Sequence, residues 1–271
     1  MNDSPLDLAA PLKPFLPEKG EAVAIAVSGG PDSMALCHAL SRQAADAIHA
    51  LTVDHGLRPE SADEARQVGS WLADWNCVRH QVLTRDQSAI PAAKIQEEAR
   101  HDRYRMLAAY CGEHGINQLF TAHHQDDQAE TFLFRLAKGS GLDGLGAIRS
   151  VHDYSDTLRI IRPLLAMPKS SLLEYCAAHD VPYIRDPSNE NGRFARARLR
   201  RAQAVLAGEG LTAKRLATTA ERLARARDAL DEIAGQHYRA ALVFEDPGRI
   251  ELDFPALKDA LEEIRLRVLI K

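Results

Sequence analysis

The sequence predicts an α/β fold: a doubly wound, mostly parallel sheet, Rossmann-like in its order, followed by a smaller helical C-terminal domain. Three observations carry this. Up to residue 124, short runs rich in apolar and β-branched residues alternate with stretches of helical periodicity. Each strand-like run but one ends in a polar cluster: SGGPDS, DHGLRPES and HHQDDQ. Beyond residue 160 the alternation stops and helices, turns and one hairpin replace it.

Taken in order, residues 22–27 read as a buried strand and 32–45 as the helix after it, with Met34, Leu36 and Leu40 among alanines. IHALTVDHGLRPES is a strand ending in a polar loop, and SADEARQVGSWLADWNC an amphipathic helix carrying Val68, Trp71, Leu72 and Trp75. VRHQVLT predicts a third strand, residues 95–115 a third helix closed by Gly115, and INQLFTAHH a fourth strand. A helix starting near Gln125 follows, and another starts behind Pro168. From Leu211 to about Ala241 the pattern Leu216, Leu223, Leu230, with Ala226 and Ile233 between, predicts one long packed helix rather than a coiled coil. ALVFEDPGRIELDF reads as a hairpin turning at Asp246-Pro247-Gly248. PALKDALEEIRLRVLIK reads as a single final helix that stops while still apolar, the mark of a truncated chain. The predicted domains are residues 1–205, the alternating α/β part, and 206–271, helical with a hairpin.

Composition narrows the class. The chain has 271 residues, is 45% hydrophobic and carries a net charge of −4, which excludes a disordered tail and an indiscriminate polyanion binder. No basic leader with an apolar core and no long apolar run opens it, so a soluble cytoplasmic protein with no membrane partner is expected. Cys37, Cys77, Cys111 and Cys176 are widely spaced, with no C-x-x-C pair.

The polar clusters carry the chemistry. In SGGPDS, Gly29 and Gly30 allow close backbone approach, successive amides form an anion nest at a helix start, and Ser28 and Ser33 add hydroxyls. No Walker lysine is present. Asp32 in its place would repel a phosphate unless a divalent cation lay between, which points to Mg²⁺ with phosphate completing its shell. A plain strand-to-helix turn explains the glycines equally well. In HHQDDQAE, Asp126, Asp127 and Glu130 share a helix face and could hold Mg²⁺, grip an ammonium or take a proton; an acid-rich first turn is the simpler explanation. His123 and His124 are adjacent, which is wrong for zinc on a helix. Arg100, Arg103 and Arg105 could reach phosphate or pair with Glu97 and Glu98. Residues 193–227 hold ten Lys or Arg against two Glu, the footprint of a nucleic acid on an otherwise acidic chain.

Together SGGPDS, VDHGLRPES, EEARHDRYRML, TAHHQDDQAETFLFRLAKGSGLDGL, RPLL and RDPSNENGRFARARLR, in that order over residues 22–201, resemble the tRNA(Ile)-lysidine synthetases, within the N-type ATP pyrophosphatases. The fold this implies is the adenine nucleotide alpha hydrolase type. The activity it implies is a ligase: ATP adenylates the C2 oxygen of the wobble cytidine of a CAU-anticodon tRNA(Ile), pyrophosphate leaves, and the ε-amine of L-lysine displaces AMP. Carried onto this chain, Ser28, Gly29, Gly30, Pro31, Asp32 and Ser33 would hold the ATP phosphates, with Asp54 and His55 in the nucleotide pocket. Asp32 and Asp127 would hold Mg²⁺. Asp32, Asp127 and Glu130 would be catalytic, Asp127 or Glu130 binding lysine or taking its proton, with Asp126 a lesser candidate. Arg193, Arg196, Arg198 and Arg200 would line the approach of tRNA. The chain departs from the family at Arg196-Ala197, where members carry Arg-Asn. Two other readings stay open: a tRNA cytidine 2-thiolation enzyme, whose members carry the C-x-x-C this chain lacks, and a nucleotide-binding module without chemistry. The sequence does not set the oligomeric state; a homodimer is one assembly open to it.

Overall fold

The computed structural model describes residues 7–43, 47–54, 56, 60–84, 95–185 and 205–270, with the backbone alone over 95–100. Strand β1, Ala22–Ala26, lies at the centre of a six-stranded sheet of order β3-β2-β1-β4-β6-β5. Its neighbours are β2, Ala47–Asp54, and β4, Gln118–Phe120, both parallel to it. Strand β3, Val78–Thr84, extends the sheet in parallel beyond β2. On the other side β6, Arg159–Ile161, runs parallel to β4, and β5, Val151–Asp153, antiparallel to β6.

Helices cover both faces. A short helix α1, Ala9–Leu12, joins α2, Pro31–Ser41, α3, Ser61–Leu72, and α7, Lys169–Ala178, on the face that receives Val23, Ile25 and Ile48. Helix α4, Ile95–Glu113, covers the other face with Tyr104 and Leu107 against Ala24 and Leu51. The period-2 alternation of β1 assigns these residues to opposite faces. Fully burying a side chain such as Ile25 or Leu107 contributes about 1.5–3 kcal/mol.

Helix α5, Gln125–Ala137, starts at the end of β4 and lays Ala129, Phe132 and Leu133 against Leu216 and Ala220 of the long helix α8, Ala213–Ala241. The far end of α8 packs Ala234 and Ala241 against Leu257 of α9, Phe254–Leu257, and Ile264 and Val268 of α10, Glu262–Ile270. A hairpin of β7, Leu242–Asp246, and β8, Arg249–Leu252, joins them, turning at Gly248 with φ +96°. The long helix is thus common to two apolar clusters.

Five expectations need correction. Helix α2 ends at Ser41 rather than 45, and β4 stops at Phe120 because the chain leaves the ladder after the Thr121 N–H makes its last bond to the Ile161 carbonyl at 2.9 Å. Strands β5 and β6, which the sequence reading did not predict, complete the sheet; they are three residues long, too short for alternation to be legible. The final segment is two helices, α9 and α10, not one. Ile233 is exposed at 42%, because the buried seam of α8 runs through Leu216, Ala220, Arg227 and Ala234 instead. Among the described residues, no helix is long and apolar enough to cross a membrane.

Candidate active site

Strand β1 connects to β2 on one side, while β4 lies on its other side, so the crevice past their carboxyl ends is the switch point of the sheet. Residues 28–33 leave β1 there, and residues 121–127 leave β4.

The first loop is built by its own hydroxyls and by Gly29. The Ser28 N–H donates to Ser33 Oγ at 3.2 Å, and Ser33 Oγ donates to the Gly30 carbonyl at 3.0 Å. Gly29 has φ +82°, and a Cβ there would sit 2.8 Å from both Ile184 Cδ1 and Val68 Cγ2. Its carbonyl accepts the Ile184 N–H at 2.8 Å. Pro31 is the first residue of α2, a position without need of an N–H, and the remaining leading amides of the helix have no intrahelical acceptor. From behind, Thr52 Oγ1 donates to the Val27 carbonyl at 2.9 Å and itself lies 2.8 Å from His80 Nε2. The Val27–Ser28 peptide is therefore held at both its carbonyl and its amide.

The second loop meets the first at His124. His124 Nε2 lies 3.6 Å from Asp32 Oδ2 and 3.5 Å from Asp127 Oδ2, and His124 Nδ1 lies 3.5 Å from Asp126 Oδ2. These separations exceed an ordinary hydrogen bond, so the attraction is one of charge. Burial opposes the imidazolium, but Asp126 and Asp32, with Asp127, outweigh it and carry the His124 pKa up to about 9. The same pairing with His124 holds the Asp126 carboxyl below its ordinary value, against the opposing effect of burial. Asp127 also accepts the His124 N–H at 3.0 Å, which caps the start of α5. Glu130, one turn further on, is buried and engaged in an interaction.

Lys169 completes the cluster from a third element. It opens α7 behind Pro168, its N–H donates to Asp126 Oδ2 at 3.0 Å, and its Nζ lies 3.9 Å from Asp32 Oδ2. The sequence reading missed Lys169 and weighed His124 only as a zinc ligand. One signal was available: a lysine in the first turn of a helix opposes the macrodipole and needs an anion nearby.

Asp54, at the end of β2, accepts from the Gly56 N–H at 2.9 Å and from Ser61 Oγ at 2.6 Å, closing the turn into α3. His55, Arg193, Arg196, Arg198 and Arg200 lie outside the described residues, as do the side chains of Glu97, Glu98 and Arg100. Arg105 pairs with Asp102 at 3.0 Å, and Arg103 lies over the Tyr104 ring at 5.5 Å. All four cysteines are free thiols.

The donor set can be tested against Mg²⁺. Asp32 Oδ1 is buried with no hydrogen-bond partner among the described residues, an arrangement that is costly for a carboxylate oxygen unless a cation meets it. No group of three His, Cys, Asp or Glu among the described residues forms a metal cage by itself. Carboxylates that need phosphate oxygens to complete a shell suit Mg²⁺, which binds through one or two of them.

Residues 6–205 match the PP-loop domain family. A tRNA(Ile)-lysidine synthase of Methylobacterium nodulans is 44% identical over 257 residues, covering 94% of this chain and 75% of the relative. One from Bradyrhizobium sp. is 40% identical over 281 residues, covering 98% and 78%. The U34-tRNA thiolase NcsA of Methanococcus maripaludis, at 18% identity, superposes with a TM-score of 0.64 over 80% of this chain and 77% of that one, a likeness of fold alone. With a PP-loop domain over most of its length and relatives of this identity, the chain belongs to the tRNA(Ile)-lysidine synthase family.

Proposed function

We propose that this chain ligates L-lysine to C2 of the wobble cytidine of tRNA(Ile) with a CAU anticodon, using ATP. The cytidine C2 oxygen attacks the α-phosphorus and pyrophosphate leaves. The lysine ε-amine then attacks C2, the C2–O bond breaks, AMP leaves, and the amine gives up a proton. The observation that carries the reading is the convergence of Asp32, Asp126 and Asp127 on one crevice from elements far apart in sequence.

In this reading Ser28–Ser33 binds the departing pyrophosphate through amides and hydroxyls, without a lysine in the loop. Asp32 and Asp127 would hold Mg²⁺, which supplies charge neutralisation between carboxylate and phosphate. Asp127 and Glu130 are the candidates to hold the incoming ammonium and accept its proton, since only the neutral amine is a nucleophile. Asp54, one strand over, and His55 belong to the nucleotide pocket. Residues 1–205 form the catalytic domain and 206–271 a second domain reached through α8.

The basic block extends support to the tRNA partner. Lys214, Arg222 and Arg225 are exposed on the side of α8 away from its buried seam, and none pairs with an acid among the described residues. With Arg193, Arg196, Arg198 and Arg200 they would follow a phosphate backbone.

The test is mass spectrometry of tRNA(Ile) after incubation with ATP, Mg²⁺ and lysine. One lysine is gained at the anticodon nucleotide, and multiple-turnover pyrophosphate release depends on both tRNA and lysine. Modification with a sulfur donor in the absence of lysine would reject the reading.

A further inference from the structure

We infer that His80 is a positioning residue for the Ser28–Ser33 loop: through the Thr52 hydroxyl, its ring fixes the Val27–Ser28 peptide from which the loop departs. This rests on the proposal that the loop binds the pyrophosphate part of ATP. Val27 lies one residue past the end of β1, where its N–H still donates to the Leu51 carbonyl at 2.9 Å. Its own carbonyl accepts from a side chain, Thr52 Oγ1, at 2.9 Å. Thr52 is buried, and the same oxygen lies 2.8 Å from His80 Nε2.

The hydrogens along this row can be assigned. A threonine hydroxyl has one proton, and the Val27 carbonyl, which can only accept, takes it. At 2.8 Å the remaining lone pairs of Thr52 call for a donor, so His80 Nε2 carries an N–H. Burial holds the His80 pKa below its ordinary value, which keeps the ring neutral near pH 7 and leaves Nδ1 without a proton. His80 pairs in register with Ala50, two residues before Thr52, so both side chains lie on the face of the sheet that α3 covers. There the ring meets Gly69 of α3, where a Cβ would come within 2.8 Å of Nδ1. Glycine is unfavourable inside a helix, and here it makes the room the imidazole needs.

The row ends on the loop's own hydrogen bonds. The Ser28 N–H, on the same peptide as the Val27 carbonyl, donates to Ser33 Oγ at 3.2 Å, and Ser33 Oγ donates to the Gly30 carbonyl at 3.0 Å. A peptide is planar, so the direction of its carbonyl fixes that of its amide. Tilting this one plane moves Ser28 and Ser33 together, and with them the donors the loop offers to phosphate. His80 acts from behind the loop, through Thr52, and not on phosphate itself.

The experiment measures equilibrium binding of inorganic pyrophosphate with Mg²⁺, and of tRNA, to the full chain and to His80→Leu, His80→Gln, Thr52→Val and the double variant His80→Leu/Thr52→Val, with urea unfolding of each. His80→Leu weakens pyrophosphate about 3- to 10-fold, the range for one neutral hydrogen bond. His80→Gln, which returns an N–H, recovers most of the loss, and tRNA affinity is unchanged. Because the two residues act in series, the double variant binds no more weakly than Thr52→Val alone. Folded His80→Leu with wild-type pyrophosphate affinity, losses that add in the double variant, or a parallel fall in tRNA affinity overturns the inference. Should His80→Leu fail to fold, Gly69→Ala displaces the ring while leaving it in place of sequence: weaker pyrophosphate binding is expected, and unchanged binding overturns the inference as well. The two readings fail separately. Wild-type chain that does not bind pyrophosphate rejects the role of the loop and the inference with it, whereas wild-type binding that His80 variants leave untouched rejects the inference alone.

Discussion

His124 is the buried cation about which the loops after β1 and β4 assemble, and replacing it with asparagine removes that charge from among three carboxylates. Asp32, Asp126 and Asp127 surround the ring at 3.5–3.6 Å and raise its pKa from 6.5 to about 9 in spite of burial. A pKa raised by folding means that the folded chain holds the proton more tightly. The stabilisation is therefore complete below pH 6.5 and lost as the pH climbs through about 9. The difference between those values corresponds to about 3 kcal/mol. Urea unfolding of wild type and His124→Asn at closely spaced pH values from 6 to 9.5 measures it. Other groups titrate in that window, so the quantity to follow is the stability of wild type minus that of the variant. It should fall by about 3 kcal/mol across the window, and the ring should titrate near 9 by NMR. A difference that stays flat or grows with pH would show that the carboxylates do not hold the proton, and the account of the crevice would fail with it.

Further outcomes follow from the geometry. Asp32→Asn should abolish Mg²⁺-dependent pyrophosphate release in a coupled phosphate assay; retained release would remove Asp32 from the metal site. Gly29→Ala should lose about 2–5 kcal/mol in denaturant unfolding, from left-handed backbone strain and overlap with Ile184 and Val68. Gly139→Ala, with φ +74° but open space around it, should lose only about 1–2 kcal/mol, and equal losses would refute the steric contribution. Thr52→Val should cost about 1–3 kcal/mol by leaving the Val27 carbonyl and His80 without the hydroxyl, with Thr52→Ser close to wild type in thermal unfolding. Arg267 joins Asp143, Asp231 and Glu263 with a side chain only 9% exposed, so Arg267→Met should loosen α10 from α8 and α6, Leu142–Leu145. Because those carboxylates are themselves 44–67% exposed, the expected cost is about 1–2 kcal/mol, read as a shift in unfolding midpoint.

The parts of this protein legible in its sequence are those governed by local chemistry. The buried apolar run AVAIA, the apolar strand ending at Asp54, the Gln125 helix start and the Gly248 turn each depend on a few neighbouring residues, and each stands where the sequence predicts it. So does the glycine requirement of SGGPDS, although the reason is partly tertiary: Ile184 and Val68 press on Gly29 from other elements. The resemblance to lysidine synthetases was legible for the same reason, since its motifs are contiguous runs.

Tertiary structure alone decided the rest. Three-residue strands such as β5 and β6 carry too little pattern to declare themselves, and their place depends on the ladder that β4 offers. The buried seam of α8 follows what α5 and α10 present, so Ile233 is outside and Arg227 inside. Most of all, the resemblance sets Asp32 beside Asp127, but the helix-start position of Lys169 asks only for some anion, and nothing local to it or to His124 tells that this anion is Asp32. Side chains separated along the chain interact only after the parallel sheet has brought the ends of β1 and β4 together, and a charge is shifted by its spatial neighbours whatever their order in the sequence.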